Sequence, residues 1–374
     1  MTKIFPKSFH LQWHLTEKCN LRCKHCYQEP LFLKQEIKTK DALKILDNFI
    51  TQIDQWKLSK NLVRVSFTGG EPLLKKDFFK FLQKCQENHS LFQYGILTNG
   101  TLLTKSLISK IKDYDIDYMQ ISLEGMQEVN DSIRGKGVFE KAVLAAKIAK
   151  NNGINVNFAM TVTSLNIDEV PKVIALSKEI GIPLGIRRCV PCGSGEKIKD
   201  FALSPQKIKL FWHYILKAKN NFWEHISLGC ETGILTQDIP SYISGQCSAG
   251  YVCFTVLPNA DVYPCRRLPI YAGNLIKESF TKIYQDSKAL KELRNINNIN
   301  DVCYACPHNN TCHGGAKCMA FGFFGDTSAP DPHCWRLFKL LPGQKLAWKN
   351  SAQERPEKIN PRWVEIDDSN EGNN

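Results

Sequence analysis

The sequence predicts an α/β protein in which a partial (β/α)6 barrel is followed by a cysteine-rich C-terminal domain. Between residues 10 and 220, short β-rich runs alternate with amphipathic helical stretches, as expected of βα units around a parallel sheet. Beyond residue 229 the sequence has short Gly- and Pro-interrupted segments with few long helices, and eight cysteines lie in the range from Cys230 to Cys318. The predicted domains are a barrel (residues 1–228), a cysteine-rich domain (229–342) and a polar, partly disordered arm (343–374).

Six strand candidates, enough for a partial TIM-like barrel, lie at residues 11–16, 62–68, 94–98, 118–123, 156–162 and 184–188. The helical candidates between them lie at residues 40–56, 76–88, 105–114, 138–152 and 168–180. A further helix is predicted over residues 207–220, because Ser204-Pro205 supplies a cap followed by proline at the first helical position.

The composition argues against disorder, export and a membrane partner. With 374 residues, 43% of them apolar, the chain can bury a full core, and it carries neither a signal peptide nor an apolar stretch of membrane-spanning length. Fifteen cysteines in a long chain without an export signal indicate reduced, metal-binding thiolates in a cytoplasmic protein. The charge of +12 arises from scattered Lys and Arg residues, which disfavours a nucleic-acid partner.

Three cysteines follow the first predicted strand with the spacing Cys19-x3-Cys23-x2-Cys26. They lie on a loop at the carboxyl end of that strand, where barrel enzymes place their chemistry. Three thiolates can hold three irons of a four-iron cluster and leave the fourth iron open to a substrate. A zinc site completed by His14 or His25 is the alternative from these residues alone.

The segment CNLRCKHC, residues 19–26, resembles the CxxxCxΦC signature of radical S-adenosylmethionine (SAM) enzymes, with His25 at the usually aromatic position. Further matches to this family follow in order at the ends of successive predicted strands, across about residues 10–200. The resemblance implies that the three cysteines hold a [4Fe-4S] cluster that cleaves SAM and starts radical chemistry.

Two of these matches follow the second and third strands. Gly69-Gly70-Glu71 is similar to the family's GGE motif, which binds the amino group of SAM. Two glycines let a backbone approach a ligand, and Glu71 offers an acceptor to an ammonium. Asn99 lies in a Thr-Asn-Gly segment similar to one that lines the SAM pocket, although an Asn-Gly turn explains it equally well.

The remaining matches lie at later strand ends. The resemblance assigns Ser122 to the ribose hydroxyls and Arg134 to the carboxylate of SAM, a task suited to a guanidinium fork. Many relatives have Asp where this chain has Glu124, and a surface ion pair is the alternative for Arg134. The sixth strand resembles the segment whose backbone contacts adenine, near Ile186 and Arg187.

A second cysteine pair, Cys189-Val-Pro-Cys192, has no counterpart in the family pattern. It is interpreted as two structural thiols in preference to a redox pair or an extra metal contact, because an isolated CxxC is a weak signal. Cys85 and Cys230 are interpreted as ordinary buried thiols.

The C-terminal cysteines are too dense and ordered for incidental core thiols, and they predict at least two metal sites. Zinc is the alternative from the CxxC pairs alone. Residues 245–336 resemble the SPASM domain, an auxiliary-cluster extension of radical SAM enzymes. By this resemblance auxiliary cluster I is bound by Cys247, Cys253 and Cys265, and auxiliary cluster II by Cys303, Cys306, Cys312 and Cys334.

One departure from the SPASM pattern concerns auxiliary cluster I. The family commonly has CxGGC, whose last cysteine completes this cluster, whereas Ala316 stands at that position here. Cys318, two residues later, is assigned to this role. Without Cys318, auxiliary cluster I has an open iron or is a [2Fe-2S] cluster. With it, the chain holds three [4Fe-4S] clusters.

The leading hypothesis is a radical SAM enzyme of oxidoreductase type that forms a 5′-deoxyadenosyl radical and modifies a peptide or protein side chain, as SPASM maturases do. Tailoring of a tetrapyrrole or sugar is the second. A metal-binding scaffold without catalysis, or a zinc-dependent nucleic-acid binder, is the third. Expected partners are the substrate peptide, a flavodoxin or ferredoxin as reductant, and a separate peptide-recognition protein. Asp261, Tyr118 and Glu124 are unranked candidates for an acid or base.

Overall fold

The computed structural model describes residues 6–28, 36–192, 200–222, 226–228 and 247–334. Cys230 and the predicted C-terminal arm (343–374) lie outside these residues.

All six predicted strands are present, as β1–β6, and neighbouring strands pair in parallel in chain order. They span Phe9–His14, Val63–Thr68, Gln93–Thr98, Tyr118–Ser122, Val156–Val162 and Leu184–Arg188. The predicted α/β fold is therefore confirmed. β1 lies two residues earlier than predicted, because its pairing with β2 extends from Phe9 to His14.

Helices follow the barrel strands as the sequence predicts, with one addition among them, and the sequence does not predict the five short helices that the structure describes after residue 279. Helices α1–α6 are Thr39–Trp56, Phe78–Gln86, Lys105–Lys112, Gln127–Arg134, Val138–Asn151 and Val170–Ile180. The later helices are Pro205–Phe222, Phe280–Asp286, Lys288–Arg294, Asp301–Tyr304, Asn309–Cys312 and Lys317–Phe324. The sequence does not predict α4, because Val129 and Ile133 alone are apolar in it. Within the described ranges, no helix combines the length and apolar composition needed to cross a membrane.

Among the described residues, four short strands continue the same sheet on its two sides, and three of them come from the cysteine-rich part of the chain. β7 (Ile226–Ser227) pairs in parallel with β6, and β8 (Cys253–Val256) pairs in parallel with β1 at the other side of the barrel strands. β9 (Asp261–Tyr263) and β10 (Gly273–Asn274) then add antiparallel. The strand order is β10-β9-β8-β1-β2-β3-β4-β5-β6-β7, so one sheet spans both predicted domains.

The two faces of the sheet differ in polarity. Side chains alternate along a strand, and in β1 Trp13 is buried on the helical face, where it packs against Phe81 of α2. His10 and His14 occupy the opposite, inner face of the partial barrel. There His10 Nε2 lies 2.7 Å from Ser66 Oγ. The inner face is therefore polar, as expected of a surface that receives a ligand.

Candidate active site

The three-cysteine loop follows β1 directly, at the carboxyl end of the sheet. Cys19, Cys23 and Cys26 are all half-buried, and each of the other two sulfurs contributes to the electrostatic environment of Cys23. Burial raises the pKa of the Cys23 thiol to about 11, against the opposing charge of Arg134. Without a bound metal Cys23 is therefore a thiol, and a thiolate at this position requires a compensating cation such as iron.

The glycines after β2 are required by contact with this loop. Gly70 N donates to Thr16 O at 2.8 Å, and Glu71 N donates to Lys18 O at 2.8 Å. Gly69 has a φ of +150°, and a Cβ there would lie 2.3 Å from Thr16 O. A Cβ at Gly70 would lie 2.2 Å from Lys18 O. The close approach that the structure shows is to the backbone beside Cys19, and the approach of these glycines to a ligand stays a prediction.

Gly70→Ala is therefore expected to release the iron of the first cluster, about four irons per chain, and to abolish SAM cleavage. The added methyl group would force residues 16–18 away, while the C-terminal cysteines remain undisturbed. Iron analysis and the formation of 5′-deoxyadenosine check this. Gly153→Ala is the control, because a Cβ there would have no atom within 4 Å, even though its positive φ (+81°) adds a backbone strain that Gly70 does not have. Full iron content in Gly70→Ala would contradict the assignment of this contact.

Glu71 lies fully buried between the loops after β2 and β3. Its carboxylate accepts hydrogen bonds from Thr98 Oγ1 (2.8 Å), Asn99 N (2.9 Å) and Leu73 N (3.3 Å). Burial raises the pKa of Glu71 above its usual range, although the bonds from Asn99 and Thr98 oppose this. About one of the four lone-pair positions of the carboxylate remains, which suits a ligand ammonium.

Asn99 joins the third loop to the cysteine loop. Its Nδ2 donates to Asn20 Oδ1 at 2.9 Å, and its Oδ1 accepts from Thr101 N at 2.9 Å. The Asn-Gly turn and the pocket-lining interpretations are thus compatible, because the turn is fastened to the segment between Cys19 and Cys23. Ser122 ends β4 on the inner face and is half-buried.

A buried ion pair connects Arg134 with Glu124. Arg134 Nη2 donates to Glu124 Oε1, His25 Nε2 lies 3.2 Å from the same oxygen, and Thr161 N donates to Glu124 Oε2 at 2.7 Å. Burial acts to raise the pKa of Glu124, but Arg134 and His25 outweigh it and lower the pKa to about 2. Glu124 is therefore a permanent carboxylate that positions Arg134, and it cannot serve as a general acid at neutral pH.

The same arginine faces the cysteine loop. Arg134 Nη1 lies 3.9 Å from Cys23 Sγ. Arg134 Nε and His25 Nδ1 are buried and have no hydrogen-bond partner among the described residues. Two buried polar atoms without partners beside the cysteine triad fit a site completed by a ligand. Together with Glu71, they provide groups for both the ammonium and the carboxylate of an amino acid.

The end of β6 contributes backbone and a thiol pair. The backbone of Ile186 pairs with β5, and its side chain is buried. Arg187 lies over Gly185, since a Cβ there would be 3.1 Å from Arg187 Nη1. Cys189 and Cys192 are 3% and 5% exposed, and burial raises the pKa of Cys189 to about 12. This supports structural thiols over a reactive pair.

The cysteines predicted for auxiliary cluster I come from β8 and the loop after β9. A hydrogen bond from Cys253 lowers the pKa of Cys265 to about 6. Cys247 and Cys318 belong to one buried cluster against which Cys265 packs. The structure therefore brings Cys318, at the start of the helix Lys317–Phe324, into the same region as the other three.

The cysteines predicted for auxiliary cluster II also lie together. Burial, and then the nearby sulfurs of Cys306 and Cys334, raise the pKa of Cys303 to about 11 and that of Cys312 to about 12. Cys303 also raises the pKa of Cys312. Within the described ranges, no three Cys, His, Asp or Glu side chains are spaced around a single metal ion.

A buried ion pair that sequence reasoning missed fixes this region to the barrel. Arg188, at the end of β6, donates from Nη1 and Nη2 to the two carboxylate oxygens of Asp331 at 3.2 and 3.0 Å. Arg188 Nη1 also lies 2.9 Å from His333 Nδ1, and His333 Nε2 donates to Leu203 O at 3.0 Å. Asp331 and His333 lie immediately before Cys334, so the Arg188–Asp331 ion pair positions a predicted cluster ligand.

Two of the unranked acid or base candidates have structural roles. Asp261 accepts hydrogen bonds from Asn259 Nδ2 (2.7 Å) and Asn274 Nδ2 (2.8 Å) within the β9–β10 hairpin. Tyr118 OH lies 2.6 Å from Ser66 Oγ and donates to Val65 O at 3.0 Å, far from the cysteine loop along β4.

Two family models match the chain. The Radical SAM superfamily model matches residues 13–176, and the SPASM model, described as an iron-sulfur cluster-binding domain, matches residues 247–307. These ranges contain the cysteine triad and five of the eight C-terminal cysteines assigned to clusters.

Curated relatives match over most of their length. The mycofactocin maturase MftC of Mycolicibacterium smegmatis is 30% identical over 87% of this chain and 82% of the relative. The AdoMet-dependent heme synthase of Methanosarcina barkeri is 24% identical over 87% of this chain and 95% of the relative.

Solved structures share the fold. Native anSMEcpe with bound AdoMet superposes with a TM-score of 0.68, at 19% identity over 92% of this chain and 99% of that one. SuiB of Streptococcus suis, bound to the precursor peptide SuiA, also gives a TM-score of 0.68, at 18% identity over 88% of this chain and 76% of that one.

Proposed function

Because the chain belongs to the radical SAM superfamily and carries a SPASM domain, and so is an enzyme that uses SAM and iron-sulfur clusters, we propose that it modifies a peptide or protein side chain. The observation that carries this proposal is the similarity to a mycofactocin maturase, 30% identical over 87% of this chain and 82% of the relative. The fold shared with SuiB, which binds a precursor peptide, supports it.

In the proposed site, Cys19, Cys23 and Cys26 hold the first cluster and leave one iron for SAM. When bound, this cluster supplies an electron for the reductive cleavage of SAM to methionine and a 5′-deoxyadenosyl radical, which abstracts hydrogen from the substrate. Glu71 accepts the ammonium of SAM, and Arg134 binds its carboxylate while Glu124 holds the guanidinium in place.

The remaining contacts position the nucleoside and exclude water. Ser122 binds the ribose hydroxyls, and the backbone at Ile186 and Arg187 borders adenine. Asn99 keeps the loop after β3 fastened to the cysteine loop. The buried surroundings of Glu71 and Glu124 strengthen these polar contacts, because charges interact more strongly away from water.

Two auxiliary [4Fe-4S] clusters complete the proposed set of three. Cys247, Cys253, Cys265 and Cys318 hold auxiliary cluster I, a full set of four ligands. Auxiliary cluster II is held by Cys303, Cys306, Cys312 and Cys334. A cytoplasmic location, a flavodoxin or ferredoxin reductant and a separate peptide-recognition protein are part of the same proposal, since reduced clusters need an electron donor.

The test is anaerobic reconstitution with iron and sulfide, followed by SAM and dithionite. About twelve irons per chain and formation of 5′-deoxyadenosine are expected. Deuterium transfer from a labelled candidate peptide into 5′-deoxyadenosine would identify the substrate class. No 5′-deoxyadenosine from a preparation with full iron content would exclude the enzyme activity, and deuterium transfer from a non-peptide alone would exclude the peptide assignment.

A tetrapyrrole is the second candidate substrate. The chain covers 95% of the AdoMet-dependent heme synthase of Methanosarcina barkeri, although at 24% identity. Deuterium transfer from a labelled coproporphyrin, with none from peptides, would favour this candidate.

A further inference from the structure

His14 carries a buried hydrogen-bond donor whose position follows from its neighbours. Gln28 Nε2 lies 3.1 Å from Glu17 Oε2, a carboxylate oxygen that can only accept, so this atom is the amide nitrogen. The same nitrogen lies 3.2 Å from His14 Nδ1, which therefore accepts a hydrogen bond. The proton of the neutral imidazole is consequently on Nε2.

This Nε2–H group has no acceptor among the described residues, and the His14 side chain is 0% exposed. Burial, and then the charge of Arg266, lower the pKa of His14 well below its usual value, so the ring stays neutral. A buried donor without an acceptor is costly, and such groups in folded proteins usually face a ligand or an ordered water.

Arg266 lies close to His14 and also carries a buried N–H donor without an acceptor among the described residues. Its side chain is 8% exposed, and its guanidinium carbon lies 4.9 Å from the centre of the Tyr27 ring. Its Nε is buried without a hydrogen-bond partner, and no described carboxylate forms an ion pair with it. Among the described residues this guanidinium contacts the face of Tyr27, and a buried guanidinium is stabilised by a hydrogen-bonded anion.

His14 and Arg266 both pack against Tyr27, so their two N–H donors lie close together. The His14 ring packs edge-on against Tyr27, with centroids 6.3 Å apart and planes at 68°. Arg266 covers the same tyrosine from the hairpin side, where it follows Cys265 in sequence. The three side chains lie where the loop after β1 meets the loop after β9, between the first cysteine triad and the auxiliary cysteines.

We propose that His14 and Arg266 form a binding site for a carboxylate group of the substrate. One cationic and one neutral N–H donor in water-poor surroundings match a carboxylate monoanion, whereas a phosphate dianion would need further positive charge. The proposal rests on the proposed function for the identity of the substrate. A peptide and a tetrapyrrole can both supply the carboxylate.

The test measures binding of benzoate to the oxidised, reconstituted holoenzyme with SAM bound, by saturation-transfer difference NMR. Benzamide, which has the same shape without the charge, is the companion probe. Benzoate is expected to bind saturably and more tightly than benzamide. Arg266→Gln and His14→Phe are each expected to weaken benzoate binding by about tenfold or more and to leave benzamide unchanged.

Arg64→Gln is the matched control, because Arg64 also lies 4.9 Å from a tyrosine ring, Tyr118, but is exposed at the opposite end of the barrel. It should bind benzoate like the unmodified protein. Iron content and circular dichroism establish folding, and if one variant fails to fold the other carries the test. No benzoate binding by the unmodified holoenzyme, or equal binding by the folded variants, would overturn the proposal.

Two further pairs of probes distinguish the source of the carboxylate. N-acetyl-trialanine is compared with its C-terminal amide, and coproporphyrin III with its methyl ester. Tighter binding of a free carboxylate than of its amide or ester supports the site if this difference disappears in Arg266→Gln. The pair of probes that shows the difference identifies the source of the carboxylate. Equal binding within both pairs would overturn it. Because none of these measurements needs turnover, a failure of SAM cleavage remains a separate result.

Discussion

Replacing Cys23 with alanine is expected to abolish SAM cleavage while the C-terminal clusters stay in place. With two ligands left on the loop, the first cluster is lost, and the iron content falls by about four per chain. Arg134 Nη1 lies 3.9 Å from the Cys23 sulfur, so the variant also removes from this buried cation the thiolate that Cys23 would provide with the cluster bound. Iron analysis and chromatography of 5′-deoxyadenosine measure both effects.

Cys85→Ala provides the control for this variant. Cys85 is 0% exposed, and burial alone raises its pKa well above the usual value, which marks an apolar core thiol. The control should retain both its iron and its activity. Cleavage of SAM by Cys23→Ala at the unmodified rate would refute the assignment of the triad.

Arg188→Met should destabilise the protein by about 3–5 kcal/mol, because it leaves the Asp331 carboxylate buried without its cation. Both side chains are 1% exposed, so water cannot replace the lost contact. The free energy of unfolding in urea and the iron content measure the effect. Iron should be lost preferentially from the site containing Cys334, whose loop Asp331 positions.

An exposed ion pair gives the comparison. Lys172 and Glu169 approach to 2.6 Å, but Lys172 is 61% exposed, so Lys172→Met should have a far smaller effect. Equal losses in the free energy of unfolding for the two variants would show that the buried Arg188–Asp331 pair stabilises the protein no more than the exposed pair does.

Local features of the fold follow from the sequence because they depend on local periodicity and motif spacing. The strands Val156–Val162 and Leu184–Arg188 lie at their predicted residues, and the cysteine triad lies directly after β1. The family and the presence of a SPASM domain, expected from the same motifs, are confirmed.

Contacts between residues that are far apart in the sequence cannot be predicted from local periodicity or motif spacing. Arg188 and Asp331 are 143 residues apart, and no local pattern marks them as partners. The pairing of β8 with β1 is equally non-local. For His14 a local signal exists, since it alternates with apolar Trp13 along β1, but the missing acceptor becomes visible only once Gln28 is placed.

The pairing of β8 with β1 also bears on how the chain avoids self-association. Without β8, the backbone of β1 would be an open edge of six residues able to recruit another chain. In the described sheet the outer strands are instead β7 and β10, each two residues long. A chain shortened to residues 1–228 would thus expose an aggregation-prone edge in addition to losing its auxiliary cysteines.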